Sequence, residues 1–297
     1  MQLFFRELNL NDLPAVFDIC KNIWKDENDI SEDYLPKIIK SWILEEKRFT
    51  FGAFIDAEKS HLIALGSVKY ISEEYAWMEG GRVAEEYQRK GIGKILTQYC
   101  INYAKNMKYK YIQYDTFTQN SGSVGLAKSL GYYQKDYMEL LEGELSKISL
   151  DNFKSSPFIE VSPEEAFEFL EEIPNGPVTE ISAGWSYKPF NLQQVSKIEG
   201  TWIRNDAALI LKIGSEASLE GENPLTDEIW FIIYGNVSKA TILLQKVLIQ
   251  ERNRKQDFNK LSIRVFCPKA LSQPIQKLGF SYVEGKPSGV VLFEKKL

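Results

Sequence analysis

The sequence is short of what many catalytic chemistries need. Among 297 residues there is one histidine, His61, and only three cysteines, Cys20, Cys100 and Cys267, which stand far apart. A Cys/His zinc site cannot be assembled from these, and a Ser-His-Asp triad would have to use that one ring. No metal is expected, and His61, in the apolar stretch HLIALG, reads as a packed or surface residue. The cysteines form no C-x-x-C pair and no disulfide framework, which fits a reducing cytoplasm. A basic excess is missing too: 36 Lys+Arg against 41 Asp+Glu leaves a net charge of −5. General nucleic-acid binding needs a basic surface to displace counterions, so no nucleic-acid partner is expected. No apolar run reaches the roughly 18 residues of a membrane span, and no membrane partner is expected. The opening MQLFFRELNLNDL lacks the basic-then-apolar order of a signal peptide.

What is there is a globular balance. With 44% hydrophobic and 26% charged residues, the chain is not disordered, collagen-like or coiled-coil. At about 150 residues per domain its length suits two lobes, expected at 1–147 and 148–297 with a polar, Pro-interrupted connection over 145–162. In the first lobe, strands are predicted at 3–8, 48–56, 61–71, 75–84 and 110–118. Helices are predicted at 12–24, at 31–46 despite Pro36, at 95–107, and at 123–132 up to Gly131. In the second, Ser162-Pro163-Glu164-Glu165 has capping-box spacing and opens a helix to about 172. Residues 174–190, rich in Gly and Pro, read as a long irregular loop carrying Trp185, Tyr187 and Phe190. A hairpin turning at Asn205-Asp206 and strand, helix, strand, short helix and strand follow. An offset of 148 superposes Leu130-Gly131-Tyr132 on Leu278-Gly279-Phe280, the helix at 92–107 on 240–255, and the strand at 112–118 on 260–266. This points to an internal repeat.

The clearest chemistry lies in VAEEYQRKGIG, residues 83–93. A strand runs into a glycine-bearing turn and then a helix. Glycine removes side chains where the backbone must approach something closely. A helix start offers free N–H groups and the positive end of its dipole, a site for phosphate oxygens. Arg89, Lys90 and Lys94 add positive charge. The turn also reads, more plainly, as a tight strand-to-helix connection with surface cations. It is not a Walker loop, because Ile95 follows Gly93-Lys94 and Gln occupies 88. It is not a dinucleotide fingerprint, because Leu occupies 96.

Gln88-Arg89-Lys90-Gly91-Ile92-Gly93 resembles the [RQ]-x-x-G-x-[GA] signature of the GCN5-related N-acetyltransferases, the GNAT family. Asn120, Ser123 and Gly131-Tyr132 resemble that family's second conserved segment, and the element order of 1–140 is similar to the family's. The resemblance implies an α/β fold of two GNAT-like lobes, each a mixed, mostly antiparallel sheet with flanking helices. It also implies acetyl-CoA as co-substrate, with pantetheine in a gap where the fourth strand splays from the fifth. The backbone of Val83 and Ala84 would pair with the pantetheine. The N–H groups of Arg89, Lys90, Gly91, Ile92, Gly93 and Lys94 would hold the pyrophosphate, with Gln88 opening the motif. Asn120 would contact the pantetheine or adenosine portion, with Ser123 nearby. One departure is plain: the family's frequent tyrosine acid falls on Ala127.

An amine nucleophile must lose a proton, and a carboxylate near the splay could take it. Strict alternation along YAWMEGGRV puts Glu79 on the face of Trp77 and Val83, with Met78 and Arg82 opposite. Glu79 is the first candidate base and Asp115 the second. The second lobe resembles a degenerate GNAT half, since Asn236 to Thr241 replace the glycine loop. The two-lobed chain also somewhat resembles the histidine N-acetyltransferase-like subgroup. The expected activity is N-acetyl transfer to the amine of a small molecule or amino acid. A protein or peptide N-acetyltransferase and a non-catalytic acyl-CoA sensor are the alternatives. An acceptor carboxylate would need a cation, Arg82 or Lys188, and a homodimer is among the partners considered.

Overall fold

The computed structural model describes residues 2–23, 33–150, 157–214, 228–254 and 261–297. Parts of the helices expected at 12–24, 31–46 and 240–255, of the connection 145–162 and of the strand at 260–266 lie outside the described residues. The elements run β1 (Phe4–Glu7), α1 (Leu13–Cys20), α2 (Leu35–Leu44), β2 (Arg48–Phe54), β3 (Leu62–Tyr70), β4 (Tyr75–Val83), α3 (Ile92–Asn106), β5 (Tyr111–Phe117), α4 (Ser121–Ser129) and β6 (Tyr133–Glu144). Then come β7 (Ile159–Val161), α5 (Pro163–Glu172), β8 (Glu180–Ser182), β9 (Tyr187–Pro189), α6 (Leu192–Val195), β10 (Thr201–Arg204), β11 (Ala208–Gly214), β12 (Glu228–Gly235), α7 (Val237–Arg254), β13 (Ser262–Cys267), α8 (Lys269–Gln276), β14 (Ser281–Tyr282) and β15 (Gly289–Lys296).

Local chemistry accounts for many of these bounds. Pro36 falls in the first turn of α2, where a missing N–H costs no helical bond. Ser162 and Glu165 close the capping box of α5 in both directions. Gly131 and Gly279, 148 positions apart, both take positive φ after their short helices, and the aromatic residues that follow, Tyr132 and Phe280, are buried.

Among the described residues of this α/β fold one thirteen-stranded sheet runs through both halves, in the order β1-β2-β3-β4-β5-β15-β6-β13-β12-β11-β10-β7, with β14 also pairing β6. It is mixed and mostly antiparallel: β4–β5 and β12–β13 are its parallel pairs. Helices α3 and α4, and α7 and α8, pack on one face. The other face carries α1 and α2, then α5, α6 and the β8–β9 ribbon. No helix among the described residues is long and apolar enough to cross a membrane.

The two halves exchange strands at the centre. β15 lies between β5 and β6, pairing Val290 to Lys296 with Phe117 to Tyr111 and Gly289 to Glu294 with Glu139 to Tyr133. β6 in turn pairs β13 from Glu144 to Glu139. Residues 133–144 therefore extend the C-terminal sheet, and residues 289–296 extend the N-terminal one. The stretch 174–190, expected to be irregular, contains the antiparallel ribbon β8–β9. Its sequence has no strand signal because its apolar support is tertiary: Ile181 and Tyr187 are buried against side chains of both halves.

Removing β15 exposes one edge of β5 and one of β6 and uncovers Val290 to Phe293, all at most 4% exposed. A chain ending at residue 286 is expected to lose cooperative thermal unfolding. Calorimetry checks this, and a sharp transition at the full-length Tm would show that the exchanged strand is dispensable.

Candidate functional site

The site begins at a defect in β4. Register between β3 and β4 shifts between Leu65↔Arg82 and Ser67↔Glu79, so Gly80 and Gly81 together oppose Gly66. This is a β-bulge. Gly80 takes φ +68°, and a Cβ there would meet the Trp42 ring at 2.5 Å. The bulge breaks strict alternation. Met78 and Val83 pack with α3, whereas Arg82 turns to the α1/α2 face and pairs with buried Asp33 at 2.8 Å. The expectation that Glu79 shares a face with Val83, opposite Arg82, is thus corrected. Glu79 and Arg82 lie on one side, and Val83 on the other.

Beyond the bulge the strands part. β4 and β5 pair only over Tyr75–Trp77 with Tyr111–Gln113, leaving a gap from Met78 to Val83. Ala84 N–H donates to Ile63 O at 2.9 Å, and Ala84 O accepts from Tyr87, so Ala84 is committed to the sheet and the turn. Its neighbour Val83 therefore directs its backbone groups into the gap, where its carbonyl accepts from Gln88 Nε2 at 3.1 Å.

The loop then reaches α3. Arg89 takes φ 57° and Gly91 φ 81°, both left-handed. Gly91 is the N-cap of α3 with no side chain to cap it, and a Cβ at Gly91 would have no neighbour within 4 Å. Among the described residues, the N–H groups of Arg89, Lys90, Gly91, Ile92 and Gly93 have no hydrogen-bond acceptor, while Lys94 N–H returns to Gly91 O at 3.1 Å. The result is a cluster of free donors at the positive end of a fifteen-residue helix. Lys90 Nζ lies over the Tyr87 ring. Across the gap, Asn120 caps α4 by accepting from Ser123 N–H at 3.0 Å. Ser123 O accepts from Tyr114 Oη at 3.0 Å. Ala127 is fully buried under α4.

The matching place in the second half is built differently. One residue, Asn236, separates β12 from α7, and its side chain accepts from Ser238 and Lys239 N–H. β12 and β13 stay paired over five positions, Glu228↔Ser262 to Ile232↔Phe266, against three for β4 and β5. The helix start is already capped there, and the gap is shorter.

The mouth of the splay on the α1/α2 face gathers charged groups from both halves. Arg48 pairs with Glu79 and, at 2.7 Å, with Glu45, and it lies 4.1 Å over the Trp42 ring. Lys69 reaches Glu45 at 3.4 Å. Asp115 has one carboxylate oxygen shut off from solvent and without a partner. Burial, and then the charge of Glu79, push its carboxyl well above the usual aspartate range. The ribbon supplies the roof. Trp185 packs edge-on against Phe117 at 6.1 Å, Tyr187 Oη donates to Val290 O at 3.2 Å, and half-buried Lys188 faces Glu79 and Asp115 electrostatically. Burial and the neighbouring Lys69 lower the Lys188 pKa. Phe190 packs on Phe167 instead.

Beside this mouth is a buried seam that no sequence pattern announced. Gln113 Nε2 donates to Glu180 at 3.0 Å and to Glu294 at 2.7 Å. Glu294 also accepts from Tyr133 and from Lys135. The seam ties β5, β15, β6 and β8 together.

Residues 14–132 match the profile of the acetyltransferase (GNAT) family. The fold is GNAT-like. A putative acetyltransferase from Thermoplasma acidophilum aligns over 99% of this chain and 100% of its own, at 15% identity and TM-score 0.60. A GCN5-related N-acetyltransferase from Sphaerobacter thermophilus covers 99% and 95%, at 13% identity and TM-score 0.58. A putative acetyltransferase from Pyrococcus horikoshii covers 99% and 89%, at 14% identity and TM-score 0.56. At these identities the likeness concerns the fold. No curated protein matches the sequence. Among the described residues, no group of three or more His, Cys, Asp or Glu is arranged to hold a metal ion.

Two outcomes are expected from this geometry. Gly91→Val demands left-handed φ of a β-branched residue and fills the open space above the donors. It should abolish acetyl-CoA binding by calorimetry while the protein stays folded by circular dichroism; wild-type affinity would mean the loop holds no ligand. Glu180, 3% exposed, is pushed up to about 7, chiefly by burial. The folded state thus holds this proton more tightly than the unfolded one, so stability falls as pH rises from about 4.5 to 7 and then levels. Glu180→Gln should flatten that slope in Tm against pH, and an unchanged slope would assign it to other groups.

Proposed function

We propose that the protein is an acetyl-CoA-dependent N-acetyltransferase with one cofactor site, in the half spanning residues 1–147. The half spanning 148–297 is read as a degenerate GNAT-like partner that lends its last strand and roofs the acceptor. One observation carries this reading: the free donors at 89–93 open directly into the gap between β4 and β5. Acetyl-CoA fits the residues present. The backbone donors of Arg89 to Gly93 would hold its pyrophosphate. The Val83 N–H would meet the pantetheine, and the amide nitrogen of Asn120, not used in capping, would reach the same portion. Bound there, acetyl-CoA supplies the acetyl group as a thioester.

This chain's own residues then deal with the acceptor amine. Asp115 is the stronger candidate base. Its oxygen is unpartnered and its affinity for a proton is raised, whereas Glu79 is engaged by Arg48. The amine gives its proton to Asp115, directly or through water, as its nitrogen bonds to the acetyl carbon and the C–S bond breaks. Thiolate is a good leaving group, so the absence of an acid at Ala127 is tolerable. The ribbon over the splay favours a small acceptor above a long peptide.

Thiol release measured over amino acids, polyamines and N-terminal peptides tests the activity. Binding of acetyl-CoA without release on any amine would instead indicate a sensor. Asp115→Asn should cut kcat by about a hundredfold or more with acetyl-CoA affinity kept. Activity should fall with decreasing pH through a group above the ordinary carboxylate range. Glu79→Gln, by removing a neighbouring negative charge, should move that acid limb to lower pH. A greater loss from Glu79→Gln than from Asp115→Asn would transfer the role to Glu79.

A further inference from the structure

Lys188 is held with care and given nothing to bind. It lies on β9 opposite Ile181, which is fully buried. The ribbon is anchored on both sides of it. Tyr187 Oη donates to Val290 O, Ser182 N–H donates to Tyr234 Oη at 2.9 Å, and Trp185 is wedged between Phe117 and Phe266. The ammonium therefore cannot swing away with a loose loop. Yet among the described residues Lys188 makes no ion pair and no hydrogen bond: Glu79 and Glu45 act on it only through space, and the charges around it are used. Arg48 takes Glu45 and Glu79, Lys69 takes Glu45, and Arg82 takes Asp33. A half-buried ammonium with no counter-ion in direct contact is costly, and such groups are normally paired.

Asp115 is its complement. One of its oxygens is buried and unpartnered. Lys188 and Asp115 act on each other electrostatically but form no ion pair within 4.0 Å. Two unmatched charges of opposite sign thus sit apart at the mouth of the splay, one from each half of the chain.

We propose that this pair recognises an acceptor that carries a carboxylate beside its reacting amine, a free α-amino acid, with Asp115 receiving the amine and Lys188 the carboxylate. The inference rests on the acetyltransferase reading above. A zwitterion neutralises both groups at once and needs no other charge from the site. A decarboxylated amine would leave Lys188 desolvated and unpaired. A peptide N-terminus has an amide where the carboxylate should be, so it would be rejected for the same reason. A polyamine would add positive charge next to Lys188. In the buried seam Glu294 is already satisfied by Gln113, Tyr133 and Lys135, while Glu180 keeps one unpartnered oxygen, so polyamines are the competing class that the test must include.

The test uses matched acceptors on the full chain: a set of α-amino acids, the amine made by decarboxylating each, and the C-terminal amide of each. With a charged contact at stake, kcat/KM should favour the acids by roughly tenfold or more. In Lys188→Met that preference should collapse, mainly through KM for the acids, and Lys188→Arg should restore part of it. Lys188→Gln is the second variant should methionine disturb folding, monitored by thermal melting. Equal turnover of acids, amines and amides by the wild type, or better turnover of peptides or polyamines, overturns the inference while leaving acetyl transfer standing. Equal losses on acids and amines in Lys188→Met would also overturn it. Thiol release with none of these acceptors would defeat the acetyltransferase reading and this inference together.

Discussion

Strand β15 lies between two strands that come from the other half of the chain, and the rest of the architecture follows from that insertion. It satisfies the backbone edges of β5 and β6 together, and an open edge on either would be a site for wrong pairing. It supplies Glu294 to the buried seam and the carbonyl that anchors Tyr187. The ribbon therefore rides on β15, and the mouth of the splay is roofed by the half that has no open helix start of its own. The N-terminal and C-terminal parts of the chain form one sheet whose centre takes strands from both.

The second constraint is the bulge at Gly80–Gly81. By spending two residues against one, it bends β4 and turns Arg82 toward Asp33, while Val83 is left facing the α3 side. The same bend lets β4 part from β5, so that the strand ends beside the free donors of α3. The two glycine features of the sequence, one in the strand and one in the loop, serve a single geometry: a cleft with free N–H donors at one end and a charged mouth at the other. In the second half the gap is shorter and the helix is capped by Asn236, so only the first half has free N–H donors facing a wide gap among the described residues.

Charge at the mouth is matched almost group by group. Arg48 secures Glu79 and Glu45, and Lys69 adds to Glu45. Only the Arg48 guanidinium is buried, at 3% exposure, while its carboxylate partners keep a quarter to a third of their surface, so loss of both carboxylates would leave one desolvated cation. Against that background Asp115 and Lys188 stand out, since they are neither paired nor solvated in the ordinary way.

Most of the element order and the loop at 83–93 were legible in the sequence, because they depend on local rules. Apolar periodicity marked α3 and β5, the capping box marked α5, and left-handed glycines marked Gly131 and Gly279. The spacing of Gln88 to Gly93 marked the turn that opens α3, and Asn120 marked the start of α4. Alternation failed at Glu79 and Val83, since a bulge is a matter of how two strands register and not of either strand alone. The ribbon at 180–189 was invisible, because its few residues gain their burial from Trp77, Phe117 and Val290, far away in the chain. Which carboxylate is engaged and which is left with an unpartnered oxygen, Glu79 or Asp115, was likewise decided by Arg48 and Lys188 arriving from other elements. The sequence by itself determined the α/β pattern and the glycine-bearing loop, whose causes are local. The exchanged strands, the roof and the ionic state of the mouth came only with the tertiary structure, because burial and charge pairing are properties of what is packed together in space.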